Sequence, residues 1–461
     1  MAPPVTDFTV KEKYTYLEGL GNYHSSEAFP GANPLVNNTP QKPPYGLRTE
    51  RISGTSFTAP RHRNLQTWLY RTASSLHHDG FTPYTSQPSP SRPTFISPDS
   101  YMWPALPDLD PATDWLSQRL LAGNGDPLTK TGVAIWVFAI DQSMPARTAF
   151  SSLDGELLII PQSGSLDIQT ELGKLLVRQN EICVIPRGIR HRVSLVPDSP
   201  TCRGYICELY QGHFQLPDLG AIGSTGLANV RDFQIPTAHY DGQLIDSIPT
   251  PTPLDPKDVD QNYTIISRQA MRLWATTQSH TPFDVAAWHG TCYPYKFDLG
   301  RFCVMGNALF DEHDPSLYAV LSAPSNRDTG SSAVEFLVIP PRWQVAEDTF
   351  WLPYFHRNTM NEFYGPIITA QDRSHGLNGG QDDTARQFRP FMAGLNGSMV
   401  THGAAESDFK HASERSLAPE KLMADGLSMF VLETELPLLL SEWAAKAAIM
   451  NGGRKKAEAK I

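Results

Sequence analysis

Apolar residues in this chain come in short runs, each closed before it could complete an amphipathic helix. VAIWVFAI (133–140), GELLIIPQSG (155–164), LLVRQNEICVIPRG (175–188) and RVSLV (192–196) are rich in β-branched and aliphatic residues and are bounded by Gly, Pro, Asp or Asn. Strands of that length at that spacing predict an all-β sandwich or barrel. The same signal resumes with YPYKFDLGRFCVMG (293–306), SLYAVLS (316–322), VEFLVIPPRW (334–343) and SMFVLETELPLLL (428–440). Helical patterns are few. DPATDWLSQRLLAG (110–123) offers a capping Asp and apolar residues near i, i+3, i+4 spacing, and ESDFKHASERS (406–416) suggests a short surface helix.

The spacing of these runs divides the chain. A length of 461 residues exceeds what one small core needs, and two domains of roughly 150 to 250 residues are expected. Residues 1–112, rich in Pro, Ser and aromatics as in FTPYTSQPSPSRPTF, form a loop-rich segment expected to pack on the first β domain, residues 113–246. SIPTPTPLDPKD, at the start of 247–260, carries too much proline for a sheet interior and is the expected linker. Residues 261–450 would be a second β domain and 451–461 a flexible basic tail.

Composition excludes several classes of partner. The net charge of -10 comes from acids spread along the chain, and the only dense basic run is the terminal tail, so no nucleic-acid partner is expected. The longest apolar runs are strand-length, far short of the roughly 20 residues of a membrane helix, and no membrane partner is expected. MAPPVTDFTVKEKY has no basic stretch followed by an apolar one, so no secretory signal is expected. The five cysteines, Cys183, Cys202, Cys207, Cys292 and Cys303, show no CxxC pairing, which fits buried thiols in a reducing, cytoplasmic setting. Ala459-Lys460-Ile461 is a loose relative of a peroxisomal address.

In the first β domain, Pro186, Gly188 and His191 fall in the order P-x-G-x-x-H, which resembles the second half of the cupin motif. The upstream half should carry two histidines and an acid, but GELLIIPQSGSLDIQTELG has no histidine. One ligand cannot hold a divalent ion that needs three or more, so His191 reads as structural.

Chemistry is expected in the second half. PYFHRNTMNEF (353–363) sets His356 and Glu362 six apart among aromatics. On a helix these positions lie about 120° apart, whereas extended backbone turns both to one side. His402, in NGSMVTHGAAES, is a plausible third donor from a neighbouring strand. Two histidines and one carboxylate leave open positions, as a non-haem Fe(II) oxygenase needs. From spacing alone a second reading stands beside this one: Arg357 pairs with Glu362, and His356 is a packed strand residue.

Long ordered segments resemble the homogentisate 1,2-dioxygenase family. They are YHSSEAFPGANPLVNNTPQKPPYGLRTERISGTSFTAPRHRNLQTWLYR, VIPRGIRHRV, RGYICELYQGHFQLPDLGAIGSTGLANVRDFQ, FDVAAWHGTCYPYKFDLGRF, PPRWQVAEDTF and YFHRNTMNEFYG. The resemblance implies a mainly β chain with two cupin-like β-sandwich or jelly-roll domains, a loop-rich N-terminal segment and few helices. It implies Fe(II) as cofactor, a small aromatic substrate and O₂ as partners, and assembly as a homotrimer or homohexamer. The implied reaction opens the ring of homogentisate to maleylacetoacetate in tyrosine and phenylalanine catabolism. Carried over by position, His356, Glu362 and His402 match the metal ligands, and His289 matches the acid/base histidine. Asn358, Tyr354, Gln371 and Asn396 fall at substrate-binding positions.

The chain departs from the family where substrate is held. Gln371 stands where a tyrosine is expected and Asn396 where a histidine is expected, and the methionine of the EFMG pattern is Tyr364, with Pro366 after Gly365. Asparagine can only donate and accept hydrogen bonds, while histidine can also titrate. The 372–394 loop, longer than the family pattern, either brings His375 or Arg389 to the substrate or is plain surface. Iron and ring cleavage are therefore firmer expectations than homogentisate itself. A paralogue acting on gentisate or a secondary-metabolite diol, and a non-catalytic cupin-like binding protein, are the alternatives.

Overall fold

The computed structural model describes residues 12–84, 90–103, 113–220, 226–242, 262–302, 317–344, 356–367, 392–403, 409–410, 413–416, 418–422 and 428–450. The proline-rich run 247–260, Tyr354, Gln371, His375, Arg389 and the terminal tripeptide lie outside the described residues.

The chain is mainly β, as expected. In a nine-stranded sheet Val133–Ile140, Cys202–Leu209, Glu156–Ser163 and Glu181–Ile185 are successive antiparallel neighbours. Val133–Ile140 is buried at every position but one, which explains why it reads as a continuous apolar run rather than an alternating one. A seven-stranded sheet, containing Gly173–Val177, Leu166–Thr170, His191–Leu195 and Thr148–Ser152, forms the second layer of this half. Every strand expected in this half is present.

A second seven-stranded sheet carries the C-terminal half. Its order runs Tyr318–Pro324, Ser332–Ile339, Met429–Thr434, Asn361–Pro366, Ala393–Asn396, Tyr101–Trp103 and Ile449–Met450. Tyr205 from the nine-stranded sheet packs on Phe430 and Phe363 of this one, at ring-centroid distances of 5.1 and 5.7 Å, and its hydroxyl donates to the Met392 carbonyl at 2.9 Å. Burying each such ring contributes roughly 1.5 to 3 kcal/mol. Because side chains alternate along a strand, burial of Phe363 on this side turns Glu362 to the opposite face.

Three expectations need correction. DPATDWLSQRLLAG does not form a helix over its described part. Asp114 caps a single 3-10 turn, Trp115–Ser117, and the chain then extends as strand Arg119–Gly123, because Arg119, Leu120, Ala122 and Gly123 are drawn into pairing with Val133–Ile140. The boundary at 247–260 also shifts. Tyr263–Gln269 pairs in parallel with Thr148–Ser152, and Tyr295–Asp298 pairs with Glu181–Ile185, so residues 262–299 complete the first half. Finally, the lead-in serves both halves: Gln66–Arg71 flanks Val285–Gly290, while Tyr101–Trp103 pairs with Ala393–Asn396 of the C-terminal sheet. In the other proposed helix, residues 409–410 and 413–414 are helical.

Candidate active site

Backbone pairing brings the two C-terminal histidines together. His356 and His402 face each other in an isolated antiparallel bridge, with His356 N–H donating to the His402 carbonyl at 2.8 Å and His402 N–H to the His356 carbonyl at 3.0 Å. Directly opposed residues project to the same face, and the ring centroids lie 4.4 Å apart. Between His356 and Glu362 the chain turns at Asn358, whose Oδ1 accepts from Met360 N–H at 3.0 Å and whose carbonyl accepts from Met399 N–H at 2.6 Å. Glu362 then enters strand Asn361–Pro366. The extended path expected from the six-residue spacing is thus a bridge, a turn and a strand.

One ligand atom from each of His356, Glu362 and His402 lies within 4.8 Å of the others. Glu362 Oε2 is 2.8 Å from His402 Nε2, and Oε1 is 3.4 Å from His356 Nε2. The 2.8 Å pair is close but not aligned as a hydrogen bond, and His402 Nε2 is buried without a hydrogen-bond partner. His402 Nδ1 meets the Val400 carbonyl at 2.9 Å, which fixes Nδ1 as the protonated nitrogen and leaves Nε2 with a free lone pair. That is the tautomer of a metal-ligating histidine held from behind. Across the sheet, Glu362 sits directly opposite Glu433, and like charges so placed destabilise a sheet. A cation among the three ligand atoms would relieve both the orphaned nitrogen and the facing carboxylates, so the residues fit a divalent metal with nitrogen and oxygen ligands.

Electrostatics agrees with an ionised ligand. Burial pushes the Glu362 carboxyl up, but His402, Asn358 and His356 outweigh it and bring it down to about 2. Burial lowers His402, and the carboxylate beside it raises it to a net upward shift.

Asn358 and Asn396, expected at substrate-binding positions, both reach the Glu362 carboxylate. Asn358 Nδ2 donates to Glu362 Oε1 at 2.9 Å, and Asn396, paired with Glu362 in register, places Nδ2 at 3.5 Å from Oε2. Short amide side chains on the adjacent turn and strand reach the carboxylate before they reach the face beyond it. Arg357 is exposed and makes no ion pair with Glu362 among the described residues, which removes the alternative reading of the H-x5-E spacing.

His289 is held elsewhere. It lies on Val285–Gly290, buried to 8% exposure, and its described partners are tyrosines rather than the triad. Tyr23 hydroxyl meets Nδ1, and Tyr70 hydroxyl meets Nε2 at 2.8 Å. Burial lowers its pKa. Sequence reasoning missed both tyrosines. Tyr70 is 219 residues away in sequence but lies on the neighbouring strand, and only strand pairing could have found it.

His191 sits inside the first half, fully buried, with Phe150 and Trp115 edge-on at 5.4 and 6.3 Å. Arg268, which acts on His191 electrostatically, is itself paired with Glu208, 3.1 Å apart and both buried. This aromatic enclosure agrees with a structural role for His191.

The chain matches two family models, described as homogentisate 1,2-dioxygenase N-terminal over residues 15–299 and C-terminal over 300–458. Among similar curated proteins, the homogentisate 1,2-dioxygenase of Emericella nidulans is 47% identical over 96% of this chain and 94% of its own length. The Drosophila melanogaster enzyme is 41% identical over 94% and 93%, and the Homo sapiens enzyme 40% identical over 94% and 92%.

Proposed function

The chain belongs to the homogentisate 1,2-dioxygenase family of non-haem iron dioxygenases, and from that premise we propose that it cleaves a hydroquinone-type ring with O₂, converting homogentisate to maleylacetoacetate. The observation that carries this reading is the convergence of His356, Glu362 and His402 within 4.8 Å. These three would hold Fe(II). The metal, when bound, supplies a template for ring oxygen and O₂ and a path for electrons between them.

The remaining steps belong to the protein's own groups. Asn358 and Asn396 fix the rotamer of Glu362. His289, kept neutral by burial, takes the proton of the ring hydroxyl and returns one to the ring-opened acid. We propose that the chain assembles as the homotrimer or homohexamer expected from the family.

Asn396 favours a second reading. Its amide is turned toward Glu362, leaving no titrating group where relatives of this pattern place a histidine, and a paralogue acting on another diol fits that change. Loss of a group that pairs with a substrate weakens that substrate selectively.

The test is metal analysis of the purified protein with an oxygen-electrode screen of homogentisate, gentisate and substituted hydroquinones, with and without Fe(II). Iron-dependent O₂ uptake with homogentisate foremost is expected. Uptake with another diol foremost transfers the assignment to the paralogue, and no bound metal with no uptake leaves a binding protein.

A further inference from the structure

The hydrogen bonds around His289 have a fixed direction. Tyr70 hydroxyl donates to the Asn38 carbonyl at 2.9 Å, so its oxygen accepts from His289, and Nε2 must carry the proton. In the neutral ring Nδ1 is then the acceptor, and it receives the hydroxyl of Tyr23. One end of this chain is closed, since Tyr70 is fully buried and ends on a backbone carbonyl. The other end is open, since Tyr23 is 64% exposed. Among the described partners of His289, Tyr23 is thus the one that connects the ring to solvent.

Tyr23 opens into a cavity of about 410 Å³ that also contains Phe57, Arg61 and Asn64. The loop that bears them is fixed by its own bonds: Gly54 N–H to the Leu65 carbonyl at 2.8 Å, Leu65 N–H to Thr55 Oγ1 at 3.1 Å, and Asn64 Nδ2 to the Phe57 carbonyl at 3.3 Å. The Phe57 ring is 75% exposed and lies 4.1 Å from the Arg51 guanidinium, which also covers Trp68. Arg61 is exposed and makes no ion pair or side-chain hydrogen bond among the described residues. An aromatic face, an unengaged guanidinium and a hydroxyl wired to a base together match a phenol that carries a carboxylate. Asn396, bonded to the ligand carboxylate, leaves the charge of such a substrate to be met by another residue.

We propose that Tyr23 is the residue through which His289 exchanges protons with a phenolic carboxylate, and that Arg61 holds the carboxylate of that ligand. This rests on the ring-cleavage reading for the identity of the ligand. In the transfer the ligand O–H bond breaks toward Tyr23 Oη while the Tyr23 O–H bond breaks toward His289 Nδ1. The result is a phenolate, an intact tyrosine and an imidazolium whose Nε2–H remains on Tyr70.

The test uses the full-length protein. Anaerobic calorimetry with homogentisate and with hydroquinone, which lacks the carboxylate, reads Arg61. The Arg61→Met variant is expected to weaken homogentisate at least tenfold and to leave hydroquinone unchanged. The Tyr23→Phe variant keeps the ring and removes the hydroxyl. With Fe(II) it is expected to lower kcat by a hundredfold or more with KM within about threefold, the range of general acid–base catalysis, and to change the pH profile. Histidine-labelled NMR supplies a readout independent of turnover, with the Nδ1 signal of His289 expected to lose its hydrogen-bonded shift in Tyr23→Phe. Equal loss of both ligands in Arg61→Met, or wild-type kcat and pH profile in Tyr23→Phe, overturns the proposal. If the wild type cleaves no diol yet still binds homogentisate through Arg61, the reaction reading fails and the binding site stands.

Discussion

Both halves of the molecule carry a histidine into a β layer, and their neighbours differ. His402 stands beside His356 and a carboxylate, with its Nε2 buried and unpartnered. His191 stands between aromatic rings, and the charge near it is internal: Arg268 donates to Glu208 at 3.1 Å and to Gln118 at 2.6 Å, and lies 4.0 Å from the Trp136 ring. Glu208 also receives Trp136 Nε1 at 2.8 Å and the Ser152 hydroxyl. In the first half the positive charge that a buried carboxylate needs is built into the chain as Arg268; in the second His356, Glu362 and His402 are arranged to fit a divalent cation, which would complete the site.

The comparison breaks first, and by the largest margin, at the triad. Exchange of His356, Glu362 or His402 for alanine should abolish stoichiometric iron and ring cleavage together, since two remaining ligands do not hold the ion. His191→Gln should retain full iron. Metal analysis of the four variants checks this, and iron retention in both His356→Ala and His402→Ala would sink the ligand assignment.

Next comes the internal cation. Arg268→Met leaves Glu208 buried without its partner and should destabilise the protein by roughly 3 to 5 kcal/mol, while the double change with Glu208→Gln should recover much of that. Denaturant unfolding measures both, and a single variant as stable as the wild type contradicts the role assigned to Arg268.

A smaller effect follows from pH. Burial pushes His191 down to about 4, below the value near 6.5 of an unfolded chain. The folded state thus holds it neutral, a stabilisation present above pH 6.5 and lost as pH falls through 4. By linkage the loss, relative to neutral pH, amounts to about 2 kcal/mol at pH 5 and roughly 3 at pH 4. Asp298, pushed up to about 6 by burial, acts with the opposite sign, its stabilisation being complete at low pH and lost above 6. The difference between wild type and His191→Gln isolates the histidine: that difference should shrink between pH 7.5 and 4. A constant difference excludes titration of His191 as its cause.

What the sequence revealed follows the range of its signals. Strands such as Val133–Ile140 are legible because full burial writes them as unbroken apolar runs. The H-x5-E pair is legible because both residues share one local turn. The helix misplaced at 110–123 has a genuine cap at Asp114, and tertiary pairing overrides the local pattern beyond it. Composition places a domain boundary at the proline-rich run because proline marks linkers, whereas the parallel pairing of Tyr263–Gln269 with Thr148–Ser152 leaves no local trace. The same holds for Tyr23 and Tyr70 on His289, and for the two asparagines, whose side chains bond to Glu362 rather than to the face beyond it.

Those asparagines give the finest test of the contrast between the halves. If the second half relies on an ion, the geometry of the carboxylate in the triad must be held in advance, and two amides do that. Asn358 reaches Glu362 at 2.9 Å and Asn396 at 3.5 Å. Removing an outer partner of a ligand typically costs tenfold to a hundredfold in metal affinity. Asn358→Ala should fall near the upper end and Asn396→Ala near the lower, about 1.4 kcal/mol, because the longer bond restrains the carboxylate less. Competitive iron titration against a chelator reads both. Asn396→His restores a ring where the family pattern has one. If it raises homogentisate turnover while leaving iron affinity within threefold of wild type, Asn396 governs the substrate as well as the carboxylate. If iron affinity falls as far as in Asn396→Ala with no gain in turnover, its part is confined to holding Glu362.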